Sequence, residues 1–470
     1  MKYSKLSILA LATVGLFSAC TKLDQNPQSS LNDSDAVTEG NARILANGVY
    51  QRMKALEYYG RDFMIVSDLG GNDMKITSQN SNRFITEFQM NYTPLLAPQT
   101  NTWLNVFRVI TQANVLINKL PQTGNTATII GEAYFMRALA DFDLMRRYTR
   151  PYTNVDAKPN DPNSGIPVIS TVIDNPATYK ATRNTLEESY NAVISDLKVA
   201  QQTAPDAQSG SSAIFTASKD AATALLTRVY LYKGQWQQVI DEASKLLDGN
   251  KYPLYEASAV AGAFNLDAPG SEEIFSVRFV NTDGGGASNF GYMYVPAASG
   301  GYGDIRLTAA FMDLLDDKDV RKGHVSTLDG SNYLVKFSGN KATGQVGLVN
   351  VKVLRISEVL LSRAEAYAEL NNFQKATDDV NALRAKRGLD PFTDVANIKA
   401  EIIKQRRLEL VGEGFSMSDL FRKNGVRNIT DANALSTRVT QPNDFRVAYP
   451  IPQSEIDANS KMVQNPGYSK

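Results

Sequence analysis

One histidine, His324, and one cysteine, Cys20, bound the chemistry open to this chain of 470 residues. A lone histidine with no cysteine near it cannot assemble the usual nitrogen and sulfur set of a zinc site, and a serine triad built on it is a poor prospect. His324 closes the polar stretch Asp319-Val320-Arg321-Lys322-Gly323-His324 and reads as a surface or loop residue. Gly284-Gly285-Gly286 has no Gly-Lys-Ser/Thr after it, so it is not a phosphate loop. Gly414-Phe415-Ser416-Met417-Ser418 falls one glycine short of a nucleophile elbow. Asp316-Asp317-Lys318-Asp319 reads as a solvated charge run rather than a calcium loop. No catalytic residue, metal or cofactor is expected. What remains is recognition, which needs flat apolar faces and a few fixed polar groups.

Two stretches supply both. The first offers Asn72, Asp73, Arg83 and Tyr92; the second offers Asn289, Phe290, Tyr292, Tyr294 and Tyr302 between glycine clusters. Sugar C–H faces lie on aromatic rings, and sugar hydroxyls suit Asn, Asp and Arg. On a strand, Tyr292 and Tyr294 share one face, spaced like successive rings under an oligomer. The flanking glycines let the backbone approach a ligand. The competing reading is that these aromatics pack the loops onto a scaffold. Trp103 and Trp236, the only tryptophans, sit in apolar helical surroundings and read as core, which leaves Tyr and Phe for a binding platform.

The elements that must carry these loops are mostly helical. Residues 36–57, 102–119 and 128–148 repeat apolar positions at helical spacing, and the last run stops at Arg150-Pro151. Residues 67–101 read as a long loop. Two hairpins, near 221–248 and 353–389, share a layout. Tyr230, Gly234, Trp236 and Val239 match Tyr367, Asn371, Phe373 and Ala376 at offsets +4, +6 and +9. That is the tetratricopeptide pattern, with a turn residue tolerant of positive φ between two helices. Tyr230, Trp236, Tyr367 and Phe373 are expected in the core. Between the hairpins, residues 271–350 read as an irregular insertion with strand-like pieces at 273–279 and 333–337. The proline-containing tail, 441–470, reads as an extended wrap. The expected fold class is therefore mainly α, a helical-repeat scaffold with loop-rich insertions and little β.

The N-terminus carries an address. Lys2 and Lys5 precede an apolar run of 12 residues, Leu6 to Phe17, too short to span a bilayer and suited to a secretory signal. Phe17-Ser18-Ala19-Cys20 then resembles a bacterial lipobox. Residues 1–19 are expected to be removed, Cys20 to be acylated, 20–35 to act as a tether and 36–470 to form one domain. Lys plus Arg and Asp plus Glu both number 49, so no basic surplus points to nucleic acid.

Several motifs, in order along nearly the whole chain, resemble the SusD/RagB family. These are Leu23-Asp24-Gln25-Asn26-Pro27; the helix from Glu132 to Leu144; Ser271-Glu272-Glu273-Ile274-Phe275; Leu354-Arg355-Ile356-Ser357-Glu358 with Ala364-Glu365-Ala366; and Ile451-Pro452 before Gln464-Asn465-Pro466-Gly467-Tyr468. One motif departs: Gln405 stands where the family has Glu, and Ser416 where it has Arg, which puts one buried ion pair in question. The resemblance implies a mostly helical fold and a surface-exposed outer-membrane lipoprotein. It also implies that a SusC-like TonB-dependent barrel transporter is the partner and that an oligosaccharide, or in some members a peptide, is the ligand. Two alternatives stay open: a surface glycoside hydrolase, which needs only two suitably spaced carboxylates, and a helical-repeat scaffold that binds protein alone.

Overall fold

The computed structural model describes residues 36–175, 178–283, 285–339 and 344–469. The expected signal segment, Cys20 and most of the tether lie outside the described residues.

Helices dominate and pack in chain order: α1 (Ala42–Met53), α2 (Asp62–Leu69), α3 (Ala97–Lys119), α4 (Gly124–Tyr148), α5 (Leu186–Thr203), α6 (Lys219–Lys233) and α7 (Trp236–Leu247). After the insertion come α8 (Ile356–Glu369), α9 (Phe373–Lys386), α10 (Ile398–Leu410) and α11 (Ser416–Arg422). From α3 to α10 each helix packs on the next, and α7 packs directly on α8, so the two similar hairpins stack despite the insertion between them. Stacking is required because neither hairpin can bury its apolar face alone. Both turns use the left-handed region, Gly234 at φ 74° and Asn371 at φ 61°. Ser218 caps α6 by accepting from the Ala221 N–H (3.1 Å), and Thr185 forms a capping box with Glu188 at the start of α5.

Trp103 is buried, its ring meeting Tyr148 edge-on at 4.8 Å. Tyr230 is buried too, but Trp236, Tyr367 and Phe373 are only partly buried, against the core expectation. Each lies on the second helix of a hairpin or faces it, where one flank meets solvent. The long loop expected at 67–101 also needs correction. It contains the end of α2, strand β1 (Met74–Ile76) and a short helix at Ile85–Phe88, and Pro98 lies in the first turn of α3. Proline suits that position because its missing N–H has no helical partner there.

Strands are few. β2 (Glu273–Val277) pairs antiparallel with β6 (Val351–Arg355). β1, β3 (Ile305–Leu307), β4 (Val325–Leu328) and β5 (Ser331–Leu334) form a sheet in the order β1-β3-β5-β4, and the strand expected at 333–337 ends at Leu334.

The charged family-like motifs pack inward as one ion network. Arg355 donates to Glu272 (2.8 Å), Glu409 (3.1 Å) and Glu413 (2.7 Å); Arg387 donates to Glu272 (2.8 Å) and Glu409 (2.7 Å). Arg321 is held by Asp319 (2.7 Å) and Glu409 (3.3 Å), and Lys336 by Glu413 (2.6 Å). Four cations thus face four carboxylates, and all eight are buried. Gln405 joins as a neutral bridge: its Oε1 accepts from Arg321 (2.8 Å) and its Nε2 donates to Glu401 (2.8 Å). A glutamate could not make the second bond. His324 lies beside this network, not at the surface. It is buried, with Nε2 3.0 Å from the Val260 carbonyl oxygen. Burial, with Lys336 nearby, pushes its pKa down to about 3, so the imidazole stays neutral. The polar look of its segment misleads because Asp319 and Arg321 are themselves buried partners.

Candidate ligand-binding surface

The two expected binding loops meet because β1 pairs with β3, setting Ile76 opposite Ile305. Beyond the strands, Ser81 donates to Asp304 through both its N–H (3.0 Å) and its hydroxyl. Asn80 accepts from the Arg83 N–H at 2.9 Å and shapes the turn. This turn brings the Arg83 guanidinium 3.9 Å from the centre of the Tyr302 ring, with Nη1 donating to Ser81 Oγ. Tyr302 in turn meets Tyr292 at 4.9 Å and 68°, and the Tyr302 N–H donates to the Tyr292 carbonyl (2.8 Å). Arg83, Tyr302 and Tyr292 are all partly exposed and form one cation–aromatic strip. Beside it, Arg306 lies 5.3 Å from the Tyr333 ring and donates to Ser331 Oγ (3.0 Å) and Gln79 Oε1 (3.0 Å). Gly303, at φ 60°, makes room for that ring, since a Cβ there would lie 2.8 Å from Tyr333.

The other expected residues point elsewhere. Asn72 clasps the C-terminal region, donating to the Val426 carbonyl (3.0 Å) and accepting from the Asn428 N–H (2.8 Å). Asp73 is buried against Arg407 (2.5 Å). Tyr92 is buried 4.3 Å from the Tyr449 ring. Asn289 is buried, bonding the Gly285 N–H (2.9 Å), and Phe290 packs 4.8 Å from Phe337. Tyr294 is fully buried, and burial raises its phenol pKa well above the ordinary value. The shared strand face expected for Tyr292 and Tyr294 is therefore corrected. Gly291–Met293 is a 3-10 turn, and at about three residues per turn, positions two apart point in different directions. The glycines also serve the protein's own packing: a Cβ on Gly291 would strike the Phe337 carbonyl oxygen. Sequence reasoning missed Ser81, Asp304, Arg306 and Tyr333, which carry no local signal and gather only through the β1–β3–β5 pairing.

Asn72 and Asp73 line a separate pocket of about 230 Å³ with Ile403, Arg407, Phe415 and Leu420. Each of its four cations has a carboxylate partner, Arg407 with Asp73, Arg406 with Asp419, Arg422 with Glu365 and Lys423 with Glu369, which leaves little to orient a polar ligand. Among the described residues no group of three or more His, Cys, Asp or Glu could hold a metal ion, and no helix is long and apolar enough to cross a membrane.

Two sequence families match the chain. One, described as starch-binding associating with outer membrane, covers residues 23–231, and the SusD family covers 327–468. Among curated proteins, SusD-like protein P2 of Formosa agariphila is 23% identical, with 98% of each chain covered. Among solved structures, a SusD superfamily protein from Bacteroides thetaiotaomicron is 29% identical, with a TM-score of 0.81 over 92% of this chain and 100% of its own. A candidate sugar binding protein from Bacteroides vulgatus is 28% identical, with a TM-score of 0.82 over 92% of this chain and 98% of its own.

Proposed function

Since the chain is a SusD-like protein, we propose that it is a lipid-anchored protein of the outer cell surface that captures nutrient oligosaccharides and delivers them to a TonB-dependent barrel transporter, without transforming them. The observation that carries the binding part is the strip of Arg83, Tyr302 and Tyr292, contributed by two loops far apart in sequence. Rings that are partly exposed, with a guanidinium fixed beside them, offer sugar C–H faces and hydroxyls what each needs. Catalysis is no part of the proposal. The carboxylate beside the strip, Asp304, is buried and bonded to Ser81, and glycoside hydrolysis needs a pair. The anchor part rests on Phe17-Ser18-Ala19-Cys20 after an apolar run. Two or three acyl chains hold a protein to a membrane stably where one does not.

A glycan and peptide array on the full chain tests the ligand class, followed by titration of the best binder into a Tyr292→Ala, Tyr302→Ala double variant. The expected result is affinity weakened by at least about tenfold with an unchanged helical circular-dichroism signal. Unchanged affinity in a folded double variant moves the site off this strip.

A further inference from the structure

Within the binding role just proposed, on which this step rests, we infer that the strip takes an acidic oligosaccharide whose units carry carboxylate groups. The strip and its neighbour Arg306 hold two guanidiniums, Arg83 and Arg306, but one carboxylate, Asp304, which lies near Arg83 and is turned away from solvent. Asp304 is 2% exposed, and both its oxygens are engaged by Ser81. Arg83 Nη1 is 3.9 Å from it, beyond hydrogen-bonding distance. The Arg83 side chain is 34% exposed, and among the described residues Ser81 Oγ is the one acceptor its guanidinium meets. The Tyr302 ring and Ser81 hold the group still while most of its five N–H donors stay open.

Arg306 is the second cation. It is buried, yet among the described residues no carboxylate lies within 4.0 Å of it. Its partners are neutral: Ser331 Oγ, Gln79 and the Gly303 carbonyl. The strip is therefore formally positive by one charge, in a protein whose total charge is zero. This differs from the pocket at Asn72 and Asp73, where every lining cation has a carboxylate partner, Lys423 through Glu369 behind the lining. The Tyr292 and Tyr302 phenols meet no hydrogen-bond partner among the described residues, and the Tyr302 ring lies against the guanidinium with Tyr292 behind it. Neutral sugar hydroxyls would fill the donors but leave the charge uncompensated. A uronate carboxylate answers both, because its two oxygens fit the planar guanidinium fork.

The test is calorimetric titration of the full chain with homogalacturonan, glucuronan and alginate oligomers, the methyl-esterified galacturonan oligomer, and neutral malto- and manno-oligomers. An acidic oligomer should bind at least about tenfold more tightly than its ester or the neutral oligomers, the worth of a charge-assisted bond. The preference should shrink as salt rises. Arg83→Gln should abolish the preference, and Arg83→Lys, which keeps the charge but not the fork, should retain part of it; melting curves check that both fold. Binding of neutral oligomers as tightly as acidic ones, weakened by Tyr292→Ala with Tyr302→Ala, overturns this inference and leaves the binding role standing. An acidic preference that survives Arg83→Gln overturns it as well. Binding of no acidic or neutral oligomer overturns both.

Discussion

Replacing Gln405 by glutamate, the residue usual in the family at this position, should destabilise this protein. The structure supplies the reason and the size. Gln405 is fully buried and bridges Arg321, through Oε1, to Glu401, through Nε2, at 2.8 Å each. An amide can accept from a guanidinium and donate to a carboxylate at once, which an ionised carboxylate cannot. With glutamate, the second contact becomes a meeting of two carboxylate oxygens, and the balanced set of four cations and four anions gains a fifth anion. Losing a hydrogen bond to a charged group costs about 1.5–3 kcal/mol, before any repulsion. Burial and Glu401 would also raise the pKa of the new carboxyl above its unfolded value. For such a group, stability is present at low pH and lost as pH rises through the raised pKa. Denaturant unfolding of wild type and Gln405→Glu at pH 5 and pH 7.5 measures both effects, with the deficit expected to be larger at pH 7.5. Adding Glu401→Gln to Gln405→Glu restores one amide and one carboxylate and should recover much of the loss, although Arg384 then loses an ion partner near the surface. An unchanged or raised midpoint for Gln405→Glu at pH 7.5, or no recovery in the double variant, refutes the account.

Tyr294→Ala should lower the melting temperature strongly, as removal of a large buried aromatic costs about 3–5 kcal/mol, whereas Tyr292→Ala should lower it little; equal losses would mean that the two rings share one environment. Asp141 is buried without a partner for Oδ1, and burial, then repulsion from Asp196, raise its pKa well above the ordinary carboxylate range despite Arg137. Wild-type stability should therefore fall as pH climbs from the ordinary carboxylate value through that raised one, and Asp141→Asn should lack this component and match or exceed wild type at pH 7.5. A marked loss in the Asn variant at that pH would show a charged, partnered carboxylate instead. Cys20→Ala should abolish metabolic lipid labelling and release the protein from the outer-membrane fraction, and normal labelling and fractionation of that variant would remove the anchor from the proposed function.

A helix such as α3 was readable from the chain because it buries one face, so apolar residues recur at helical spacing whatever the neighbours are. The hairpin turns were readable for a local reason as well. Gly234 and Asn371 adopt positive φ, which few residue types accept. So was β2, whose residues 273–277 occupy the stretch that alternates. These signals depend on a residue and its near neighbours in sequence.

Three features were decided only by tertiary packing. His324 and its polar neighbours read as surface, yet they are core, because Asp319 and Arg321 neutralise each other and Glu409, from a remote segment, holds Arg321 in the buried network. Tyr292 and Tyr294 read as one face, yet they diverge. In Phe290-Gly291-Tyr292-Met293-Tyr294 nearly every side chain is apolar enough for either side, so periodicity cannot separate a strand from a 3-10 turn. Arg83 and Tyr302 were each singled out in the chain, but their stack was not, since it forms only when β1 and β3 pair and carry the two loops together. A sequence records what each residue prefers locally; which distant charge it neutralises, and which distant ring it meets, depends on long-range pairing whose register no local preference encodes.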